Sequence, residues 1–498
     1  MTPLLTRSGA RANDARVIEA GVPGLILMEN AGRGAADVIV DRFAGQLGRV
    51  VVVGGTGQNG GDAWVIARRL ATLGHRPEVF VAGDRARVGG DAKVNLAALE
   101  AVGISVRETR GGEGDGLPEA IASATLLIEG LFGTGLDRAI EGWRAGLVAA
   151  LDAAPAPLVA LDLPSGIDAD TGAILGVAPR ATLTVTFAGH KRGLWQAPGR
   201  HHAGEVAVVD IGVPPPKSAD QLLALWDVHG ILPPRANDAH KGTAGHVLVV
   251  AGAAGKTGAA ILTGMGAMRG GAGLVTLAAG PVARAALDQK VIEIMTADLS
   301  LGLALAEGKA ALIVGPGMGL DDSAQALALA FAQDAVCPAV LDADALTALA
   351  SAGIETLRVA AGPRVLTPHP KEAARLLGSS TAEIQADRYG AAQRLADEAG
   401  QVIVLKGAGT VVAEPGGRLA VCPLGTPALG VAGTGDVLAG VIGAALSAAG
   451  PFQAACAAVL LHARAGELAA HADRGLFARE VADQVPVALA ESRGHRTA

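Results

Sequence analysis

Short aliphatic and β-branched runs alternate with longer stretches of helical character along most of the chain. Before residue 211 these runs are Val50–Val53, Glu78–Val81, Leu126–Ile128, Leu158–Leu161, Thr182–Phe187 and Val206–Asp210. Strand-length runs separated by helix-length segments predict a parallel sheet with crossover helices. Between Gly212 and Gly242 the pattern lapses into Val-Pro-Pro-Pro-Lys-Ser and then Leu-Pro-Pro-Arg-Ala-Asn-Asp, which reads as an interdomain linker. The alternation restarts with His246–Ala251, Leu274–Leu277, Ala311–Val314, Ala339–Leu341, Arg364–Leu366 and Val402–Leu405. Thr410–Ala413 and Arg418–Cys422 flank Glu-Pro-Gly-Gly and predict a hairpin, and beyond Gly433-Thr434-Gly435-Asp436 the chain reads as helical to its end. The expected organisation is α/β with two domains, residues 1–215 and 241–498, joined by a linker over 216–240.

Composition narrows the class. The 498 residues are 50% hydrophobic and 18% charged, with a net charge of −7, which excludes a disordered tail protein. Three cysteines, Cys337, Cys422 and Cys456, are too few and too scattered for a disulfide framework or a zinc cluster. A reducing, cytoplasmic setting is expected, and residues 1–24 lack the continuous apolar core of an export signal. Residues 437–461 carry no charge, but Gly450-Pro451 interrupts them, so two buried helices are expected rather than a membrane span. Few aromatics and a pI near 5.9 argue against nucleic-acid binding. Glycine is the outlier, at 70 residues.

Much of that glycine lies where strands end. Val50–Val53 runs into Gly54-Gly55-Thr56-Gly57-Gln58-Asn59-Gly60-Gly61-Asp62, and Ala63–Leu73 then reads as a helix. Such a turn offers unpaired amides at the positive end of a helix, where phosphate binds. The spacing is neither a standard dinucleotide fingerprint nor a P-loop. Glu129-Gly130-Leu131-Phe132-Gly133-Thr134-Gly135 and Asp162-Leu163-Pro164-Ser165-Gly166-Ile167-Asp168 follow two further strands. In doubly wound sheets ligands bind at the carboxyl ends of strands, so the three loops can converge on one pocket. Asn59, Glu129 and Ser165 would supply oxygen ligands for a hard cation, and Asp162 a carboxylate for proton transfer, or a strand-end turn residue.

These three segments together resemble the epimerase domain of NAD(P)H-hydrate repair enzymes, over most of residues 1–215. The resemblance implies a Rossmann-like three-layer sandwich. It implies that Gln58, Asn59, Gly60, Gly61 and Asp62, with Gly133, Thr134, Gly135, Leu136, Asp137, Arg138 and Ala139, bind the damaged dinucleotide. It also implies that Asp162 is catalytic and that Asn59, Glu129 and Ser165 coordinate K⁺. Three positions depart from the family pattern, which has Asn at Gln58, Gly at Ala63 and Asp at Glu129.

In the second half, His240–His246 leads into a strand and then Gly252-Ala253-Ala254-Gly255-Lys256-Thr257-Gly258, with a helix expected over Gly258–Arg269. Gly255-Lys256-Thr257 is not a P-loop, because Val250 stands where its first glycine belongs. Gly315-Pro316-Gly317-Met318-Gly319, Leu341–Leu346, Thr367-Pro368-His369-Pro370-Lys371-Glu372 and Lys406-Gly407-Ala408-Gly409-Thr410 each follow a strand. Gly433-Thr434-Gly435-Asp436 opens an apolar helix. Amides there form an anion hole, and the Asp can take a proton from an attacking hydroxyl, or simply cap the helix. His201-His202 and the remaining histidines show no metal-binding spacing.

This order of motifs is similar to ribokinase-like folds and, more closely, to the nucleotide-dependent NAD(P)H-hydrate dehydratases, across about residues 225–490. By that resemblance Ala259, Gly317, His369 and Asp436 contact the hydrated nicotinamide nucleotide, Asp436 being catalytic. Lys406, Gly407, Ala408, Gly409, Thr410 and Gly435 hold the adenine nucleotide. Lys371 stands where the family has Gly.

The implied chemistry is metabolite repair. The first domain interconverts the R and S forms of hydrated NADH or NADPH; the second phosphorylates the S form's hydroxyl with Mg²⁺ and ADP or ATP, then eliminates phosphate. The Ala- and Gly-rich composition suggests a bacterial source, and so ADP. A homo-oligomer is expected. The competing readings are a ribokinase-like small-molecule kinase fused to a nucleotide-binding regulatory domain, and an N-terminal half that binds without catalysing.

Overall fold

The computed structural model describes residues 1–110, 115–214 and 218–494. Part of the Val-Pro-Pro-Pro-Lys-Ser segment, residues 215–217, lies outside the described residues. The chain divides into two compact units, Thr2–Asp220 and Gln221–Ala498, the latter taking in Met1.

The N-terminal unit is built on a seven-stranded sheet. Its order is Val106–Thr109, Glu78–Ala82, Val50–Gly54, Leu126–Gly130, Leu158–Leu161, Leu183–Phe187, Glu205–Val209. Every neighbouring pair is parallel. Side chains of a strand point alternately to opposite faces, and both faces here are apolar. Val50 and Val52 pack among residues of the helices Gly24–Arg42 and Gln58–Thr72. Val51 and Val53 pack on the other side against the helices Leu117–Ser123 and Trp143–Ala153. Two helical layers around one sheet give three layers. The chain starts in Val50–Gly54, builds outward to one edge, and returns through Leu126–Gly130 to build the other. The topological switch therefore lies between those two strands, where a ligand crevice is expected. A small parallel pair, Thr2–Leu5 with His190–Lys191, lies apart from this sheet within the same unit.

The C-terminal unit has a second mixed sheet. It runs Met295–Asp298, Leu274–Ala279, His246–Val250, Ala311–Val314, Ala339–Leu341, Arg364–Leu366, Val402–Leu405, Val411–Glu414, Arg418–Val421, Gln221–Leu222. Pairing is parallel through Val402–Leu405, and the next two strands form an antiparallel hairpin where Glu-Pro-Gly-Gly predicts one. Val247, Val249, Ile313, Val340 and Val404 share one core with the helices Thr257–Arg269, Thr434–Ala445, Pro451–Ala469 and Ala478–Ser492. The uncharged stretch thus forms two buried helices separated at Gly450, and among the described residues no helix is long and apolar enough to cross a membrane.

Two segments differ from expectation. The stretch read as a linker carries the strand Gln221–Leu222, paired with Arg418–Val421, and the helix Asp227–Ile231, both within the C-terminal unit. Proline and polar residues hide these short elements because two residues show no periodicity. The helix after Val50–Gly54 begins at Gln58 rather than Ala63. Its Gly60 and Gly61 are poor helix formers that packing retains: a β-carbon on Gly60 would lie 1.9 Å from the Gly55 carbonyl oxygen.

Candidate active sites

At the switch point of the N-terminal unit lies a cavity of about 1100 Å³. Its walls include Gln58, Asn59 and Asp62 from the first loop, Gly133–Ala139 from the second, and Asp162 from the third. The helix Gln58–Thr72 starts from Gly57 with no side-chain cap, which leaves its first amides unclaimed by any side chain. Gly60 and Gly61 are buried beneath this loop, Gly61 against Met28.

Asp162 follows its strand directly and adopts φ 64°, the left-handed region that L-residues seldom occupy. That turn holds its carboxylate at the strand end. One oxygen, Oδ2, accepts from the Thr134 amide at 3.0 Å. The other, Oδ1, lies 2.8 Å from Lys191 Nζ and accepts from Thr186 Oγ1 at 3.3 Å. Burial pushes the Asp162 carboxyl up, but Lys191, Thr134 and Thr186 more than reverse this and leave it below the usual carboxylate range. Gly133 approaches so closely that a β-carbon there would lie 2.9 Å from Oδ2. Asp62 faces the same cavity; burial first, then the charges of Asp162 and Asp14, hold its carboxyl well above the ordinary range.

Behind this wall, Glu129 is completely buried. Its oxygens accept from the Ser165 amide at 2.8 Å, the Ser165 hydroxyl at 2.6 Å and the Leu131 amide at 3.1 Å. Burial outweighs these bonds and raises its carboxyl to about 7. Asn59 donates to the Leu161 carbonyl at 3.1 Å, while its own oxygen, Oδ1, is buried without a partner among the described residues. The methyl of Ala63 is accommodated on a fully buried helix face.

Among the residues of this cavity that escape a reading by sequence motif are Arg11 and Asp14, on the helix Arg7–Glu19, and Lys191. Arg11 and Asp14 carry no glycine signature. Lys191 does lie just past the strand Leu183–Phe187, so the strand-end rule applied to that loop would have picked it out.

In the C-terminal unit the switch point is between His246–Val250 and Ala311–Val314. Gly317, at φ 57°, sits against Ala259 and Lys256: a β-carbon on it would lie 3.1 Å from each. Lys256 reaches Asp344 at 3.3 Å. Gly433, at φ 93°, starts the helix Thr434–Ala445 without a side-chain cap, and Asp436 lies in its first turn. Among the described residues the Asp436 carboxylate accepts no hydrogen bond, so it does not cap its helix. Burial, then the charge of Asp342, raises it to about 7 against the pull of Lys406.

Lys406 links the loops. Its ammonium donates to Asp342 Oδ1 at 2.8 Å and lies 4.0 Å from Glu372; a β-carbon on Gly435 would be 3.5 Å away. Asp342 is buried; it and Glu372 belong to the strand-end segments Leu341–Leu346 and Thr367–Glu372, but the sequence assigns neither a role. The buried Arg388 donates to the carbonyls of Leu405 at 3.2 Å and Lys406 at 3.3 Å, which fixes the start of the Lys406–Thr410 loop. His369 is half-exposed, not a core residue. Its Nδ1 accepts from the amides of Lys371 and Glu372, and Glu372 accepts from the His369 amide, a capping box for Pro370–Leu376. Lys371 lies inside that helix and is exposed, so a side chain where the family has Gly meets no backbone strain.

Comparison with known proteins places both units in known families. Residues 24–193 match the family model described as YjeF-related protein N-terminus, and residues 247–486 the model described as NAD(P)H-hydrate dehydratase. The bifunctional NAD(P)H-hydrate repair enzyme of Moorella thermoacetica is 38% identical, over 94% of this chain and 93% of its own. The enzyme of that name from Thermanaerovibrio acidaminovorans is 39% identical, over 96% and 97%. Among solved structures, the ADP/ATP-dependent NAD(P)H-hydrate dehydratase of Bacillus subtilis, co-crystallised with ATP/Mg²⁺, is 33% identical. It matches with a TM-score of 0.50 over 55% of this chain and 98% of its own. With two strand-end sites and near-full-length similarity to such enzymes, the chain belongs to the family of bifunctional NAD(P)H-hydrate repair enzymes.

Proposed function

We propose that this chain repairs hydrated NADH and NADPH in two steps. The N-terminal unit, within residues 1–215, epimerises the R and S forms. The C-terminal unit, within 241–498, dehydrates the S form at the expense of ADP or ATP, with ADP favoured. One observation carries the reading: in each unit a carboxylate stands beside the uncapped start of a glycine-led helix, Asp162 at a strand end near Gln58–Gly61 and Asp436 in the first turn after Gly433.

In the dehydratase half the chemical problem is a poor leaving group, hydroxide, which transfer of a phosphoryl group turns into a good one. Asp436, raised to about 7, is poised to take the hydroxyl proton near neutral pH. The amides of Gly435 and its neighbours face the charge that develops on the phosphoryl oxygens. Mg²⁺, carried with the nucleotide, would neutralise phosphate charge. Lys406, Gly407, Ala408, Gly409 and Thr410 would hold the nucleotide, and Ala259, Gly317 and His369 the substrate.

In the epimerase half, Asp162 is the acid/base group. Gln58–Asp62 and Gly133–Ala139 bind the dinucleotide. K⁺ fits the oxygens of Asn59, Glu129 and Ser165: the buried Asn59 Oδ1 has no partner among the described residues, and one carboxylate, one amide and one hydroxyl suit a hard cation. Bound there, it would anchor the loops that carry Asn59 and Ser165. The protein is placed in the cytoplasm as a homo-oligomer.

The test mixes purified protein with an R,S mixture of hydrated NADH, ADP or ATP, Mg²⁺ and K⁺, and follows absorbance of reduced nicotinamide. Both epimers should convert. D162N should convert only the S fraction, and D436N neither. Accumulation of a stable phosphorylated product would instead identify a small-molecule kinase, and no conversion with either nucleotide overturns the reading.

A further inference from the structure

Lys191 is 2% exposed, an unusual place for an ammonium, and it forms part of the cavity wall. Its backbone is set by the pairing of His190–Lys191 with Thr2–Leu5, where it lies opposite Leu5. An ammonium has three donors. Those of Lys191 go to Asp162 Oδ1 at 2.8 Å, Thr186 Oγ1 at 2.9 Å and the Phe187 carbonyl at 2.6 Å. Thr186, receiving from Lys191, donates its own proton to Asp162 Oδ1. Every donor is used inside the protein, so none is left for a phosphate or a ribose of the substrate. Its ion pair is with one carboxylate, Asp162, itself held on a left-handed turn.

We propose that Lys191 is a positioning residue of the epimerase: through the Lys191–Thr186 pair it holds the Asp162 carboxylate in its working orientation, and it makes no contact with the substrate. This rests on the epimerase reading above. It separates Lys191 from the arginines of the same cavity wall, Arg11, Arg87, Arg138 and Arg144, which form no such triad among the described residues.

The experiment uses the full chain with saturating K⁺, the purified R epimer of hydrated NADPH, ADP or ATP and Mg²⁺. The chain's own dehydratase half is the coupling activity, and its rate on the S epimer checks integrity. K191M should lower the epimerisation kcat about a hundredfold, with KM within about threefold of the parent, since the lost group serves a proton-transferring carboxylate and no binding contact. Ethylammonium, which fits the space left in K191A, should restore that variant at least about fivefold and leave K191M unchanged. A kcat within about threefold of the parent, a raised KM at unchanged kcat, or K191A left as slow as K191M by ethylammonium overturns the proposal. If the parent itself turns over the S epimer but not the R, the epimerase reading fails instead.

Discussion

At the proposed K⁺ site, the buried carboxyl of Glu129 should make cation binding pH-dependent. Burial raises it from 4.5 to about 7, which corresponds to about 3 kcal/mol against ionising it in the folded protein. Below about pH 4.5 the folded and unfolded chains both carry the proton. Between there and about pH 7 only the folded chain keeps it, so stability falls as pH rises through that window and is lowest above it. A cation beside the carboxylate offsets the loss, but at pH 5.5 it must first displace a proton. Its apparent affinity there should be about 30-fold weaker than at pH 8, or about 2 kcal/mol. Calorimetric unfolding in KCl, compared with tetramethylammonium chloride at constant ionic strength, measures this directly. K⁺ should stabilise the N-terminal unit strongly at pH 8 and little at pH 5.5, and E129Q should remove the difference. Equal stabilisation at both pH values, or a pH-dependent K⁺ effect that survives in E129Q, would refute the reasoning.

Further outcomes follow from the same geometry. On the S epimer, kcat/KM should rise with pH and level off above about 7, as the raised Asp436 carboxyl becomes the ionised base; D342N removes a charge that raises it and should move the limb to lower pH. G60A places a methyl 1.9 Å from the Gly55 carbonyl oxygen and should lower stability by about 2–3 kcal/mol in denaturant unfolding, with loss of epimerisation.

The central strands were legible because each is a short, continuous apolar run, and the candidate sites because glycine clusters where several of these runs stop, after Val50–Gly54, Leu126–Gly130 and Ala311–Val314. What stayed hidden has physical reasons. Val106–Thr109 and Met295–Asp298 are sheet-edge strands with exposed, polar positions, so they lack the apolar signal. Gln58–Asn59 open their helix against glycine-poor propensity because backbone packing around Gly60 holds the turn together. Lys191 and Asp342 both lie just past a strand, but the part each plays shows only in three dimensions: each is paired with the oppositely charged side chain that another loop brings to within 2.8 Å.

The helix that carries Asp436 is locked into its neighbour. A β-carbon on Gly440 would lie 2.2 Å from the Thr263 carbonyl oxygen, and one on Gly266 2.3 Å from that of Val437, so the backbones of Thr434–Ala445 and Thr257–Arg269 are in direct contact. At these two crossings glycine lets backbone meet backbone directly. The proposed base is thus mounted on a helix held in backbone contact with its neighbour. On the proposed function, Asp436 is then a fixed point, and the strand-end loops are what must bring the substrate to it.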